Sequence, residues 1–184
     1  NKKENLSFPK HIGIIMDGNR RWAKKANVSL EKAYQKGASQ LEKIIRYLCT
    51  ETNSIEYLTV YAMSKDNVEK RNRQEKKIIN ELLYRKLKTL SDLSEVKVNV
   101  IGDISIFDSR IHELICELES VIIHKPSLVL TVALNYSGRD DILKAIQTVV
   151  TKGLSSDEFE EKVGRVCHYC SGSGCSECGS SGSM

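Results

Sequence analysis

The chain has no long hydrophobic run. No stretch of its 184 residues approaches the 18 or so consecutive apolar residues of a membrane span. The opening segment NKKENLSFPK has no apolar centre and does not read as a secretory signal. There is no strong excess of either charge: 28 Lys plus Arg stand against 24 Asp plus Glu, a net +4. That balance does not imply nucleic acid as a partner, and it suits an anionic small molecule or an anionic membrane surface. The expectation is a soluble, cytoplasmic protein. If its substrate is a lipid, it works by peripheral contact at a membrane surface.

The composition, 28% charged and 40% hydrophobic, is that of a globular protein, and the length fits one domain with a substantial core. Apolar runs alternate with helical patterns. Strands are predicted over Ile12 to Met16, Tyr57 to Tyr61, Val96 to Ile101 and Leu128 to Leu134. Helices are predicted over Arg20 to Lys25, Leu30 to Thr50, Gln74 to Leu90, Phe107 to Ile123, Asp140 to Thr151 and, briefly, Ser156 to Val163. In the second helix Leu41, Ile44, Ile45 and Leu48 form one stripe at i, i+3, i+4, i+7 spacing; in the third, Ile78, Ile79, Leu82 and Leu83 point inward. Cys49 and Cys116 fall in helical patterns and read as small core residues.

Strands separated by helices of ten or more residues imply parallel β–α–β units. Near-continuous apolar strands imply helices on both faces. The fold class is therefore α/β: a single domain over residues 1–163 with a mostly parallel sheet flanked by helices. Residues 164–184 form a Cys-, Gly- and Ser-rich tail without periodicity. Ligands of such sheets bind beyond the carboxyl ends of the strands, so each strand-to-helix junction is a candidate for chemistry.

The first junction reads HIGIIMDGNRRWA, His11 to Ala23. Gly18 permits a tight turn and close backbone approach. The helix that follows offers free N–H groups and a favourable dipole to a phosphate. Arg20 and Arg21 add charge-assisted contacts. Asp17, beside bound phosphates, suits Mg²⁺, which takes carboxylate and phosphate oxygens. A plain turn with Asp17 as a cap and the arginines solvated is the bland alternative, and the length of the string argues against it.

The string resembles the signature of the cis-prenyltransferases, the family of undecaprenyl and dehydrodolichyl diphosphate synthases. Leu58 to Asn67 is similar to the family's LTLYAFSxEN segment, Val100 to Asp103 to its IGD segment, and Leu134 to Arg139 to its LNYGGR segment. The order and spacing also fit, over roughly residues 9–163. The resemblance implies Mg²⁺-dependent condensation of isopentenyl diphosphate with an allylic prenyl diphosphate, giving a cis-polyprenyl diphosphate. It implies that Asp17 holds Mg²⁺, that Gly18, Asn19, Arg20 and Arg21 bind the allylic diphosphate, and that Trp22 shapes the apolar entrance. It implies that Asn67 and Ser64 lie near the reacting carbons. It also implies a dimer, as a homodimer or as a heteromer with a related subunit.

Other readings stand beside these. Ser64 and Asn67 equally suit a helix cap, and Asp103 a loop or cap. His11 reads as structural. Arg139 at a helix start opposes the dipole, which favours an anionic partner or a structural ion pair. Lys65, Lys70, Arg71 and Arg73 read as a basic loop, either a solvated face or a phosphate-sensing flap.

Some family positions differ. The stretch Leu30 to Gly37 keeps only the Gly of an expected Arg and Gly-His pair; Val68 replaces an aromatic and Ile106 an Arg. Nothing after Val163 matches the RTSGE and RxSxF segments that supply the isopentenyl diphosphate site. A non-catalytic prenyl-diphosphate-binding or scaffold subunit is therefore the alternative function. In the tail, Cys167, Cys170, Cys175 and Cys178 have C-x2-C-x4-C-x2-C spacing, which suits tetrahedral Zn²⁺, though the loop between the pairs is short. CHYCSGSG resembles one repeat of the DnaJ-type cysteine-rich region, and GSSGSM resembles a linker.

Overall fold

The computed structural model describes residues 9–51 and 54–153. The expected helix Ser156 to Val163, the boundary at 163 and the four tail cysteines lie outside the described residues. The described part falls into two units, one through Asn135 and one from Tyr136.

The first unit is a parallel sheet with helices. Its strands are β1 (His11–Ile15), β2 (Tyr57–Ser64), β3 (Val96–Gly102) and β4 (Leu128–Tyr136, which ends one residue past the unit boundary), in the order β1-β2-β4-β3. Ile12 pairs with Leu58 and Ile14 with Val60; Val98 pairs with Leu130 and Val100 with Val132. The helices are α1 (Asn19–Ala26), α2 (Leu30–Glu51), α3 (Lys65–Lys70), α4 (Arg73–Ser91) and α5 (Ser109–Ser120). The core joins Ile45 and Leu48 of α2, Leu58 and Val60 of β2, Leu87 of α4, Ile111 and Ile115 of α5, and Leu128 and Leu130 of β4. Each such side chain contributes about 1.5–3 kcal/mol on burial. The second unit is α6 (Gly138–Lys152), capped by the Ser137 hydroxyl, which accepts from the Asp140 N–H, and closed by Gly153 in the left-handed region.

The fold class agrees with the sequence, and five local expectations do not. Among the described residues β1 is an edge strand rather than a buried one, and Ile15 is 76% exposed. The basic loop is helical: Lys65 opens α3, Lys70 pairs with Asp66 across one turn, and Arg73 begins α4. α5 starts at Ser109 because Asp108 caps it, accepting from the Ile111 N–H; a short 3₁₀ turn, Ile104–Ile106, precedes it. α5 also ends at Ser120, three residues early. Cys116 lies on the exposed side of α5 rather than in the core, while Cys49 is half-buried and burial pushes its thiol up.

Candidate active site

The junction after β1 is tied by its own aspartate. Asp17 Oδ1 accepts from the Gly18 N–H at 2.6 Å, and Oδ2 accepts from the Arg21 guanidinium at 2.6 Å. Gly18 has φ +94°, a conformation that favours glycine, and it is the residue from which α1 starts. Among the described residues no side chain caps α1, and no acidic residue stands in its first turn. Its free N–H groups are joined instead by Arg20 and Arg21. A helix start of this kind is electropositive and offers donors to an anion.

The next helix supports this turn through one missing side chain. A Cβ at Gly37 of α2 would lie 2.6 Å from Asn19 Oδ1, so glycine there makes room for the Asn19 carboxamide. Gly37→Ala gains about 1 kcal/mol of helix propensity, and the clashing atom is the end of a flexible side chain. The variant is therefore expected to melt at or slightly above the wild-type temperature while Asn19 swings away. Prenyl diphosphate affinity, read by calorimetry, should fall about tenfold, the worth of one hydrogen bond to a charged group.

Behind Arg20 sits a buried polar cluster. Glu75, 4% exposed, accepts a 2.6 Å hydrogen bond from the Tyr34 hydroxyl. The same oxygen, Oε1, lies 3.6 Å from Arg71 Nε and 3.9 Å from Arg20 Nε. Arg71 also stands over the Tyr34 ring, 5.7 Å from its centroid. Arg71 Nε is buried with no hydrogen-bond partner among the described residues. Burial, and secondly donation to Glu75, push the Tyr34 phenol up to about 12. The folded protein thus holds this proton more tightly than the unfolded chain, whose tyrosine titrates near 10. The stability involved is fully present below pH 10 and is lost as pH rises through about 12. Tyr34→Phe should flatten that part of the denaturation-versus-pH curve, as followed by chemical unfolding between pH 9 and 12.

Asn19, Tyr34 and Arg71 form the polar end of a cavity of about 150 Å³. Its walls are otherwise mostly apolar: Leu41 and Ile45 of α2, Met63 of β2, Ile79 and Leu83 of α4, and Leu134 of β4. Farther along α2 and α4, Glu42 and Lys86 face the same space. The cavity is lined by Ala62 and Met63 near the carboxyl end of β2 and by Leu130, Val132 and Leu134 along β4; the carboxyl ends of strands are the usual ligand position in such sheets.

The structure gathers Asp17, Gly18, Asn19, Arg20 and Arg21 at one turn and brings Asn19 to the cavity. Trp22 is 41% exposed and does not line it. The Ser64 hydroxyl caps α3 by accepting from the Asn67 N–H at 3.1 Å. Asp103 likewise caps the 3₁₀ turn, accepting from Ser105. The His11 ring bonds Thr59 Oγ1 and tilts on Tyr57. Arg139 is the second residue of α6, in the other unit. Sequence reasoning missed Tyr34, Glu75, Glu42 and Lys86 as parts of a site. Their signal was present: Glu75 and Lys86 lie on the same face of α4 as Ile79 and Leu83, and a charge on an apolar stripe is the informative exception.

A family model described as putative undecaprenyl diphosphate synthase matches residues 15–172, nine residues beyond Val163 and across Cys167 and Cys170. An isoprenyl transferase of Helicobacter hepaticus is 38% identical over 157 residues, covering 82% of this chain and 65% of that protein. A tritrans,polycis-undecaprenyl-diphosphate synthase (geranylgeranyl-diphosphate specific) of Pyrobaculum aerophilum is 33% identical over 166 residues, 85% of this chain and 67% of that one. A ditrans,polycis-undecaprenyl-diphosphate synthase ((2E,6E)-farnesyl-diphosphate specific) of Shewanella oneidensis is 35% identical over 164 residues, 85% and 58%. The chain spans about three fifths to two thirds of the length of these relatives. Among solved structures, lavandulyl diphosphate synthase from Lavandula x intermedia, in complex with dimethylallyl diphosphate, superposes with a TM-score of 0.71 at 25% identity, covering 83% of this chain and 70% of that one. A probable undecaprenyl diphosphate synthase from Campylobacter jejuni gives 0.62 at 29% identity, covering 83% and 67%.

Proposed function

Because the chain belongs to the undecaprenyl diphosphate synthase family of prenyltransferases, we propose that it condenses isopentenyl diphosphate with an allylic prenyl diphosphate to give a cis-polyprenyl diphosphate. The carrying observation is a cavity with an apolar body whose polar end includes Asn19, the first residue of α1, beside the Gly18 to Arg21 turn. A diphosphate with a hydrocarbon tail has the same two halves.

The diphosphate head is held by the Gly18 to Arg21 N–H groups, the two guanidiniums and the Asn19 carboxamide. Arg71, which lines the polar end, supplies a further guanidinium there. The isoprenoid tail lies along Leu41, Met63 and Ile79, where apolar walls exclude water. The allylic C–O bond breaks with its electron pair on the departing diphosphate. The isopentenyl double bond forms the new C–C bond, and one proton leaves the adjacent carbon. Fixed donors at the departing oxygens stabilise the charge that develops there. Ser64 ends β2 and Asn67 follows in α3; in this reading the two assist loss of that proton.

The donor set also fits Mg²⁺. Asp17 is a single, mostly exposed carboxylate beside the anion cradle. Among the described residues no three His, Cys, Asp or Glu side chains converge. Mg²⁺ is commonly held by one or two carboxylates and the substrate's own oxygens rather than by a protein cage. When bound, it neutralises the leaving diphosphate.

A non-catalytic prenyl-diphosphate-binding subunit is the second reading, favoured by Tyr34, Val68 and Ile106 at positions where the family pattern has other residues. A second copy or a related subunit is the proposed partner. Among the described residues no helix is long and apolar enough to cross a membrane. Incorporation of labelled isopentenyl diphosphate into farnesyl diphosphate, by the chain alone and with a full-length relative, separates the readings. Elongated product supports the enzyme. Absence of product in both arms, with farnesyl diphosphate still bound, supports the binding subunit.

A further inference from the structure

One oxygen of the buried Glu75 carboxylate is approached by three groups from three other segments. Glu75 Oε1 accepts from the Tyr34 hydroxyl of α2 at 2.6 Å. That distance is at the short, strong end for a hydroxyl on a carboxylate. Arg71, the residue that ends α3, and Arg20 of α1 come to the same oxygen only at 3.6 and 3.9 Å, through their Nε atoms. Both distances exceed the limit of about 3.2 Å for an N–H···O hydrogen bond.

Arg71 thus sits beside its counter-charge without closing on it. Its side chain is only 10% exposed, and its Nε has no hydrogen-bond partner among the described residues. A buried guanidinium next to a carboxylate ordinarily closes a short, often two-pronged pair. Two contacts of Tyr34 oppose that closure. The hydroxyl takes up the oxygen that Arg71 approaches, and the ring lies under the guanidinium within cation–π range, 5.7 Å from Cζ to the centroid. Tyr34 and Arg71 line the cavity, whereas Glu75 is not part of its wall. The guanidinium therefore has two competing anionic partners: the carboxylate behind it and an anion in the cavity.

We propose that Tyr34 is a positioning residue: by filling the Glu75 carboxylate it keeps Arg71 from closing an ion pair and leaves that guanidinium to the diphosphate. The proposal rests on the reading of this cavity as the prenyl diphosphate site. Arg20, 63% exposed and farther from Glu75, depends less on the same hydroxyl. The family pattern has another residue at position 34, so the hydroxyl is this chain's own.

The test is a double-mutant cycle. Inorganic diphosphate and farnesyl diphosphate are titrated calorimetrically into the wild type, Tyr34→Phe, Glu75→Gln and Tyr34→Phe/Glu75→Gln. Tyr34→Phe keeps the ring and frees the carboxylate oxygen for Arg71. Both ligands should then bind about tenfold more weakly, the worth of one hydrogen bond to a charged group. Glu75→Gln removes the competing charge, so in that background the same Tyr34→Phe change should stay within the roughly twofold error of additivity. Without ligand, the Arg71 Nε–H signal in proton–nitrogen correlation spectra should move downfield in Tyr34→Phe, reporting the new hydrogen bond to Glu75. Equal binding by the wild type and Tyr34→Phe overturns the proposal. So does an equal loss in both backgrounds, which would make the hydroxyl a direct ligand of the diphosphate. If Glu75→Gln does not fold, the Arg71 signal decides, and an unmoved signal overturns the proposal. If Tyr34→Phe does not fold, Glu75→Gln decides: it should bind inorganic diphosphate at least as tightly as the wild type, and weaker binding overturns the proposal. Failure of the wild type to bind farnesyl diphosphate overturns the assignment of the cavity, and the role of Tyr34 with it.

Discussion

Asp17→Ala should lower prenyl transfer by roughly 10²–10³-fold, the usual cost of removing one fixed group that stabilises transition-state charge. Three functions converge on this carboxylate. It orders the turn by accepting from the Gly18 N–H, it aims Arg21, and it is the acidic group best placed for Mg²⁺ beside the diphosphate. Its stability role is small. Asp17 and Arg21 are 74% and 79% exposed, and exposed ion pairs are worth at most about 1 kcal/mol. Activity and stability should therefore separate: incorporation of labelled isopentenyl diphosphate collapses while the thermal melt stays within a few degrees of the wild type. Asp17→Asn keeps an acceptor for Gly18 and loses the charge. It should be nearly as inactive, which distinguishes electrostatics from turn geometry.

Glu75 should show the opposite pattern, with the largest stability loss of any single site substitution. It is nearly fully buried and serves Tyr34, Arg71 and Arg20 through one oxygen. Glu75→Ala leaves the Arg71 guanidinium, 10% exposed, without its counter-charge. Breaking one side of a buried pair typically costs about 3–5 kcal/mol. For a chain of this size that corresponds to a melting temperature lower by roughly 10 °C. Glu75→Gln keeps an acceptor for the Tyr34 hydroxyl and should lose about half as much, since a neutral hydrogen bond survives while the charge pairing does not. Differential scanning calorimetry of the three proteins checks the order.

Much of this was legible in the sequence because it is local. The parallel α/β architecture follows from apolar runs separated by helices too long for hairpins, and the anion cradle is contiguous from Asp17 to Arg21. The start of α5 was missed although its signal is also local: Asp108 caps it by accepting from the Ile111 N–H, whereas the Ser64 cap stood among the sequence's own alternatives. Asn72 and Glu75 have the spacing of a capping box, which would aim the Glu side chain back toward the helix start. Only the Asn half forms: Asn72 accepts from the Glu75 N–H, and the Glu75 carboxylate turns inward to Tyr34. That choice depends on a residue forty-one positions away. The Glu42–Lys86 pair is non-local in the same way, and nothing in the spacing of either helix announces the other. The edge position of β1 among the described strands also depends on strand order, which periodicity does not contain.

The most direct measurement is calorimetric titration of farnesyl diphosphate, with Mg²⁺ present, into the wild type and into Arg20→Ala/Arg21→Ala. Each guanidinium contact to a phosphate is worth about 1.5–3 kcal/mol. Saturable binding by the wild type, weakened at least about a hundredfold in the double variant with its fold intact, is the expected result. Absence of binding by the wild type, or equal binding by the two, would contradict the assignment of the Asp17 to Arg21 turn as the cradle of a prenyl diphosphate.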